Sequence, residues 1–306
     1  MSRYESQVLA ALRAVEVRLP DAYLWFGRRT AAAPLQAAVA ARLLADFQPS
    51  GAPRAPGDDA AGPGDGGSFV RALSHANNGR GAWEPGWRVA ATAEDAVDVV
   101  RADGLLLRAP HEDCRVAGDI ATVRLPKELM GLVPGWYLAA GDHGRPAGEL
   151  LRLHWTLAAP GAPSFVKRVT YALNGAELPF DLELVADPAR YARGGCAALL
   201  IRREDFPATM RLLRPLMRAL QLGEGSPAFA KPLARGLSVA EEPSAGEGFA
   251  AHRCRLLAEA VVAAGEAGLQ TATERLAAVR ERFRDDGIDL DAPYLEPGSA
   301  DDYAAS

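Results

Sequence analysis

The chain has 306 residues, of which 49% are apolar and 24% are charged, and its formal net charge is −5. That composition is typical of a globular protein with a real core, and the mild acidity argues against a protein that coats nucleic acid or anionic membranes. No run of 18 apolar residues is present and the first residues lack a signal-peptide core, so we expect a cytoplasmic protein without a spanning helix. Three widely spaced cysteines, Cys114, Cys196 and Cys254, predict reduced thiols and have no metal-ligand spacing.

The start of the chain is predicted to be helical. Apolar residues recur at three- and four-residue intervals over residues 3–17, which predicts an amphipathic helix, and a second helix is predicted over 35–47. We therefore expect a helical N-terminal segment at 1–47. Residues 48–68 are rich in Pro, Gly, Ala and Asp and cannot bury enough apolar surface to offset their ordering entropy. They predict a flexible linker, which is either a domain boundary or an expanded loop inside one domain.

The middle of the chain has short β patterns with helices between them. Asp103-Gly104 lies between two apolar runs and predicts a hairpin over 97–108. Further strands are predicted at 135–140, 149–159, 178–186 and 196–201, and helices at 163–174, 204–221, 249–266 and 269–284. This uneven order favours an α+β fold, with a mixed or antiparallel sheet and flanking helices over residues 69–284. Residues 285–306 are predicted to be a peripheral acidic tail.

The charge distribution is uneven along the chain. Residues 145–235 contain 13 Lys or Arg against 8 Asp or Glu, a local charge of +5 in an acidic chain. The whole chain has only three lysines, so these cations are almost all arginines, whose planar forks suit phosphate oxygens. Either the arginines bind a phosphorylated ligand, or they replace Lys on solvated faces, as in proteins from GC-rich genomes.

Three segments combine residue types that often bind ligands. Residues 74–87 hold Asn, Gly, Arg and two Trp, which either present amides to a ligand or form a Gly-rich turn anchored by buried Trp. His252 and Arg253 fall in the first turn of a predicted helix, where the dipole favours an anion. Lys231 and Arg235 lie in a Pro- and Gly-rich stretch of the kind that forms binding loops. For each of these groups, a solvated surface position is the alternative.

Several long segments occur in a fixed order over residues 69–264. They are SHANNGRGAWEPGWRV, PKELMGLVPGWYLAAGD, RLHWTLAAPGAPSFVKRVTYALNGAELPFDLEL, DPARYARGGCAALLI, PAFAKPLARGLSVAEEP and GFAAHRCRLLAEA. In this order they resemble the HopA-like type III effector family, whose bacterial relatives lie in gene clusters for ribosomally made, modified peptides. In class V lanthipeptide and thioamitide pathways, such proteins act beside an aminoglycoside-phosphotransferase-like kinase that phosphorylates the precursor peptide.

The resemblance implies a lyase that removes phosphate from phosphoserine or phosphothreonine and leaves dehydroalanine or dehydrobutyrine. The elimination needs a base for the α-proton, an acid or cation for the departing phosphate, and stabilisation of enolate-like charge, and it uses no metal or other cofactor. The chemically similar phosphothreonine lyases use a Lys base and a His acid, so we expect Lys231 to be the base and His252 the acid. The expected phosphate ligands are Arg152, Arg193, Arg235 and Arg253. The expected peptide contacts are Asn77, Asn78 and Arg80.

Three positions depart from the family pattern. Glu183 stands where the family has a Lys, and Gly195 stands where it has an Asp. His154 replaces a more usual aromatic residue and shares a strand face with a candidate phosphate ligand, which makes it an alternative acid. If the missing Lys is the family's base, this chain uses Lys231 or Lys167 instead, or it has lost the chemistry.

Two functions therefore remain open from the sequence. The first is the phosphopeptide lyase, with a phosphorylated precursor peptide and the kinase as partners, and without nucleic acid or membrane. The alternative is a non-catalytic subunit that binds the precursor peptide or activates the kinase. A host-targeted effector is disfavoured because the sequence shows no evident secretion signal.

Overall fold

The computed structural model of the protein describes residues 1–56, 66–217, 220, 222–244 and 246–304. The α-helices are α1 Arg3–Ala14, α2 Leu35–Asp46, α3 Gly66–Ala76, α4 Ala162–Gly175, α5 Phe206–Met217, α6 Phe249–Glu266 and α7 Ala272–Asp285. The first eight strands are β1 Val15–Arg18, β2 Ala22–Trp25, β3 Arg28–Ala31, β4 Trp83–Thr92, β5 Ala96–Val100, β6 Leu106–Pro110, β7 Cys114–Ala117 and β8 Ile120–Arg124. The remaining strands are β9 Glu128–Leu129, β10 Trp136–Ala140, β11 Leu150–Trp155, β12 Asp181–Val185, β13 Ala197–Arg202, β14 Lys231–Ala234 and β15 Leu237–Glu241. None of the helices in these ranges has the length and apolar character needed to cross a membrane.

The strands form three antiparallel sheets. Strands β1 to β3 make a small meander, and a five-stranded sheet has the order β6-β5-β4-β8-β7. The largest sheet has seven strands in the order β14-β15-β11-β13-β12-β10-β9. Every strand pair described within these sheets is antiparallel. The predicted α+β fold with an antiparallel sheet and an N-terminal helix is confirmed.

The N-terminal segment contains strands as well as helices. Helix α1 begins at a capping box, in which Ser2 and Glu5 each accept a hydrogen bond from the other's backbone N–H. It ends at Ala14, and the residues that the helical spacing assigned to its end form β1 instead. Tyr23 and Trp25 on β2 are buried in the main core. The sequence reading was therefore wrong for residues 15–31, because four-residue strands are too short to show a clear period of two.

Strand β11 is an interior strand of the seven-stranded sheet, third from the β14 edge, and its side chains alternate between the two faces. Leu151, Leu153 and Trp155 are at most 1% exposed, and Trp155 packs against Phe165 of α4 with ring centroids 5.2 Å apart. Burial of such side chains contributes roughly 1.5–3 kcal/mol each. The polar residues of the same strand point to the opposite face, towards the start of α6. The predicted alternation along this strand is confirmed.

The Pro- and Gly-rich stretch before α6, predicted to be a loop, contains β14 and β15. Both strands belong to the large sheet, and β15 pairs with the interior strand β11. Pro232 lies within β14, at the edge of the sheet, where a missing backbone N–H breaks no ladder. Gly236 turns the chain between the two strands at φ 64°, a conformation that favours glycine. Because Pro and Gly are typical of loops, the sequence pattern of this segment did not predict a hairpin.

Two segments predicted to be loose are packed against the body of the protein. Leu290, Tyr294 and Tyr303 of the C-terminal segment 286–304 are buried, so the prediction of a peripheral tail is wrong. In the predicted linker, the carbonyl of Gln48 accepts from Ala228 at 2.7 Å, and residues 66–68 already belong to α3. Residues 57–65 of that linker lie outside the described residues. Paired backbone groups and buried aromatic rings explain why the C-terminal segment and the described parts of residues 48–68 pack against the rest of the protein.

Candidate functional site

Arg152 on β11 is held between two carboxylates. Its Nε donates to Glu242, and its Nη1 donates to Glu183 on β12, two strands away. Burial alone would lower the pKa of Arg152, but the Glu242 and Glu183 carboxylates outweigh burial and raise it. Glu242 also accepts the backbone N–H of Phe249 at 3.0 Å, which fixes the start of α6. The predicted phosphate ligand is therefore already neutralised by groups of the same chain.

His154 lies beside Arg152 on the same face of the sheet. Its Nε2 atom is buried and has no hydrogen-bond partner in the described part of the chain, and the same holds for Oγ of Ser238, directly opposite on β15. Burial, with a smaller contribution from the Arg152 charge, lowers the pKa of His154 to about 3. The imidazole is therefore neutral near pH 7. In this state it is not the charged acid suggested from the sequence, and its low pKa also makes it a weak base.

Lys231, the predicted base, is ion-paired on the edge strand β14. Its Nζ lies 2.6 and 2.7 Å from the two carboxylate oxygens of Asp301, and 5.4 Å from the centre of the Tyr294 ring. Tyr294 also donates its hydroxyl to Asp301 at 2.7 Å. In this arrangement the C-terminal segment 286–304 supplies both groups that hold the lysine. To act as a base, Lys231 would have to leave this carboxylate and lose a proton.

His252 and Arg253 contact each other in the first turn of α6, as predicted. His252 Nε2 lies 2.9 Å from Asp286, and burial together with the Arg253 charge lowers the pKa of His252. Arg253 is completely buried and donates to two backbone carbonyls of segment 293–295, at 2.8 and 3.0 Å, and to Glu296 at 2.8 Å. These bonds tie the C-terminal segment to α6. A fully buried guanidinium with these partners has a structural role in the folded chain.

Arg193 and Arg235 lie near a second cleft. Arg193 ends the 3-10 turn after β12 and lines a cleft of about 570 Å³, together with Glu224. Arg235 is exposed in the turn between β14 and β15, and its Nη2 lies 3.4 Å from the same glutamate. Gly195 follows the turn at φ 54° and packs against the backbone of Pro49 at the edge of this region. The two arginines therefore share a neighbouring carboxylate and not a common site with Arg152.

Two of the three predicted peptide contacts line one cavity. Asn78 and Arg80 are exposed and line a cavity of about 440 Å³ between the α3–β4 connection, β8 and α4. Asn77 is buried instead, and its Nδ2 donates at 3.1 Å both to the Lys127 carbonyl and to the Tyr137 hydroxyl. Asn77 thus holds the connection in place while its two neighbours face solvent.

Sequence reasoning missed several side chains that line the Asn78–Arg80 cavity. Arg124 ends β8, His143 lies in the loop after β10, and Tyr171 on α4 is 72% exposed. The centre of the Trp83 ring lies 3.9 Å from the Arg115 guanidinium carbon and 5.6 Å from that of Arg124. The motif that contains Trp83 was noticed, but Arg124 and His143 come from other parts of the chain and had no sequence signal.

The predicted site residues do not converge on one cavity. Strand β14 carries Lys231, and four strands separate it from β10. The loop that follows β10 lines the Asn78–Arg80 cavity. At the usual strand spacing this separation is about 24 Å. The structure does bring together Asn78 with Arg80, and His252 with Arg253. The catalytic and phosphate-binding roles stay predictions.

In the described ranges, no group of three or more His, Cys, Asp or Glu side chains is placed to hold a metal ion. Cys196 and Cys254 are buried free thiols, and burial raises the pKa of the Cys196 thiol to about 11. A thiol in that state is a poor nucleophile at neutral pH.

The fold and the cavity define an α+β protein with a surface site lined by basic and aromatic side chains. Two carboxylates, Glu183 and Glu242, surround Arg152 on one face of the large sheet. The HopA1 effector protein family matches residues 130–295, which is more than half of the chain. The chain therefore belongs to the HopA1 effector protein family.

Two solved structures are similar to this chain. The effector protein from Pseudomonas syringae pv. tomato strain DC3000 is 16% identical, with a TM-score of 0.42, over 77% of this chain and 85% of that protein. The effector protein from Pseudomonas syringae pv. syringae strain 61 is 16% identical, with a TM-score of 0.44, over 76% and 81%. No curated protein matches the sequence.

Proposed function

We propose that this protein binds a phosphorylated precursor peptide without removing its phosphate, as a partner of an aminoglycoside-phosphotransferase-like kinase in lanthipeptide or thioamitide biosynthesis. The resemblance of its motifs to the HopA-like proteins of those pathways supports the substrate class. One observation carries the choice of a binding role, namely the ion pairs of Arg152 with Glu183 and Glu242.

The position of Glu183 explains why this ion pair matters. A lysine at this position would place a second cation next to Arg152 and would attract a phosphate ester. The glutamate reverses that charge and occupies a guanidinium nitrogen that a phosphate oxygen would need. Phosphate affinity on this face of the sheet is therefore expected to be low.

The other predicted catalytic groups support the same choice. Asp301 occupies Lys231, and Asp286 lies against His252. Because burial and the Arg253 charge lower the pKa of His252, the charged imidazolium that would act as the acid is disfavoured near pH 7. The Asn78–Arg80 cavity, at the other edge of the sheet, is a surface open to a peptide and has none of these ion pairs.

A phosphoserine or phosphothreonine lyase is the second candidate, and His154 is the observation that favours it. Its Nε2 is buried and has no hydrogen-bond partner among the described residues. Because the low pKa makes the ring a weak base, this role requires the pKa of His154 to rise when the peptide binds. In the elimination, a base takes the Cα proton, the C–H electrons form the Cα–Cβ double bond, and the Cβ–O bond breaks to release phosphate. This role requires Arg152 to exchange a carboxylate for the departing phosphate.

A mass-spectrometric assay separates the two functions. The protein is incubated with a peptide library that carries phosphoserine or phosphothreonine at a fixed central position, and binding is measured in parallel. We expect retained peptides to be phosphorylated and to keep their full mass. Loss of one phosphoric acid per site would instead establish the lyase, and equal retention of unphosphorylated peptides would overturn both functions. The Lys231→Ala and His154→Gln variants then test whether either residue is the base in any elimination observed.

A further inference from the structure

The Asn78–Arg80 cavity is lined by basic side chains, two of which have no partner among the described residues. The side chains of Arg80 and His143 are exposed, and neither makes a hydrogen bond or an ion pair with any described residue. Arg124 donates from Nε to Asp113 at 2.6 Å, and its Nη2 contacts the same carboxylate. Its Nη1 makes no hydrogen bond within the described ranges. Three cationic or titratable groups from three separate chain segments thus meet around one cavity of about 440 Å³.

The carboxylate in this cavity is occupied by the backbone. Oδ1 of Asp142 accepts the N–H of Arg80 at 2.6 Å and of Gly81 at 2.8 Å. These bonds hold the α3–β4 connection against the loop that carries His143. They fix the backbone of Arg80 and leave its side chain exposed. When an anion binds, Arg80 therefore loses conformational freedom only in its side chain.

The cavity also has apolar surface next to its cations. The Arg115 guanidinium lies 3.9 Å from the centre of the Trp83 ring and that of Arg124 lies 5.6 Å away, so the ring is next to both cations. Tyr171 is 72% exposed on the facing helix α4. Aromatic surface of this kind provides a contact for the backbone and side chains of a bound peptide.

We propose that this cavity is a phosphate-ester subsite, in which Arg80, Arg124 and His143 bind the phosphoryl group of a phosphoserine or phosphothreonine while Trp83 and Tyr171 contact the flanking peptide. The inference rests on the proposed function and names its subsite. A phosphate ester carries a charge of about −1.5 to −2 at neutral pH, and arginines bind its oxygens two at a time. The subsite lies at the opposite sheet edge from Lys231, so a phosphate held there is out of reach of that lysine.

The test uses N-acetyl-phosphothreonine N-methylamide as the probe, with the unphosphorylated amide, inorganic phosphate and an oligouridylate for comparison. The binding constant is measured by isothermal titration calorimetry, and the NMR shift of the His143 ring protons locates the ligand in the unchanged protein and in the arginine variants. We expect the phosphorylated amide to bind best and to shift those protons. Because each of these side chains is expected to donate a charge-assisted hydrogen bond to the phosphate, Arg80→Ala and His143→Ala should each weaken binding about tenfold.

Arg88→Ala is the matched control, because Arg88 is an exposed arginine on β4 that does not line the cavity. Its binding constant should equal that of the unchanged protein. The inference is overturned if Arg88→Ala loses as much affinity as Arg80→Ala, or if the oligouridylate or inorganic phosphate binds more tightly than the phosphorylated amide. If the phosphopeptide library binds normally to the Arg80→Ala protein, the subsite is wrong but the proposed function stands. If the unchanged protein does not prefer phosphorylated peptides, the proposed function itself fails.

Discussion

The guanidinium of Arg152 donates to the carboxylate of Glu183 across the intervening strand β13. Glu242 approaches the same guanidinium from the other side, so two negative charges surround one positive charge on this face of the sheet. An anion that approaches this face meets a net negative cluster. A glutamate at position 183 therefore disfavours the binding of phosphate to Arg152 on this face of the sheet.

Removing the charge of Glu183 should make this face more attractive to phosphate. In the Glu183→Gln variant, Arg152 keeps only Glu242 as an anionic partner, so we expect phosphate to raise the thermal unfolding temperature more than it does in the unchanged protein. The measurement is a thermal melt with and without phosphate at constant ionic strength. Glu281→Gln, an exposed position on α7, is the control. Equal responses from both variants would contradict the role assigned to Glu183.

Arg253 should contribute strongly to stability. Replacing this fully buried residue by Met removes the donor for two carbonyls and Glu296, and breaking a buried pair in this way costs about 3–5 kcal/mol of unfolding free energy. Arg255 lies two residues further along α6 and is more exposed, with surface ion pairs to Glu247 and Glu259. Its replacement by Ala should cost at most about 1 kcal/mol. Urea unfolding measures both, and similar losses would show that Arg253 is not the anchor described here.

The ion pair between Lys231 and Asp301 should contribute measurably to stability, whereas the neighbouring Asp302 should not. Asp301→Asn weakens the bonds from Lys231 and from the Tyr294 hydroxyl, and we expect a loss of about 1 kcal/mol because the pair is partly exposed. Asp302 is 78% exposed and lies 4.0 Å from Arg203, so Asp302→Asn should change stability little. A thermal or urea melt compares the two variants. No difference between them would mean that the C-terminal segment is not held through Asp301.

Buried His154 should make stability depend on pH in a defined direction. Its pKa is lowered to about 3 in the folded protein, whereas an unfolded histidine titrates near about 6.5. The unfolded chain therefore binds the proton more readily, so the stabilisation is present above about pH 6.5 and is lost as the pH falls towards 3. This single group predicts a decrease of about 2 kcal/mol between pH 7 and pH 5.

The His154→Phe variant tests that pH dependence, because it keeps an aromatic ring next to Phe249 and removes the titration. Its unfolding free energy should fall less between pH 7 and pH 5 than that of the unchanged protein. His75→Gln, at an exposed position on α3, should keep the original slope. A His154→Phe slope as steep as the original would place the acid sensitivity elsewhere.

Strong local patterns in the sequence predicted much of the fold. The alternation along β11, the Asp103-Gly104 hairpin and the bounds of α6 were all correct, since each depends on neighbouring residues. The N-terminal strands and the C-terminal segment were missed because they are ordered by distant partners, such as the Tyr303 hydroxyl bound to buried Glu241. No local pattern encodes such contacts.

The candidate site was harder to predict than the fold for the same reason. Asn78 and Arg80 are close in sequence and line one cavity, and their predicted role as peptide contacts stays a prediction. His143 lies in a loop without periodicity, and only the packed sheet brings it to the same place. The ion pairs that occupy Arg152 and Lys231 join residues 31 and 70 positions apart, so sequence spacing could not show that these cations are already neutralised.

The most direct test of a binding role is the mass of a phosphothreonine peptide recovered after saturating incubation with the protein and the kinase. We predict tight retention of the phosphorylated form with its phosphate still attached. Recovery of a dehydrobutyrine product together with free phosphate would contradict the account.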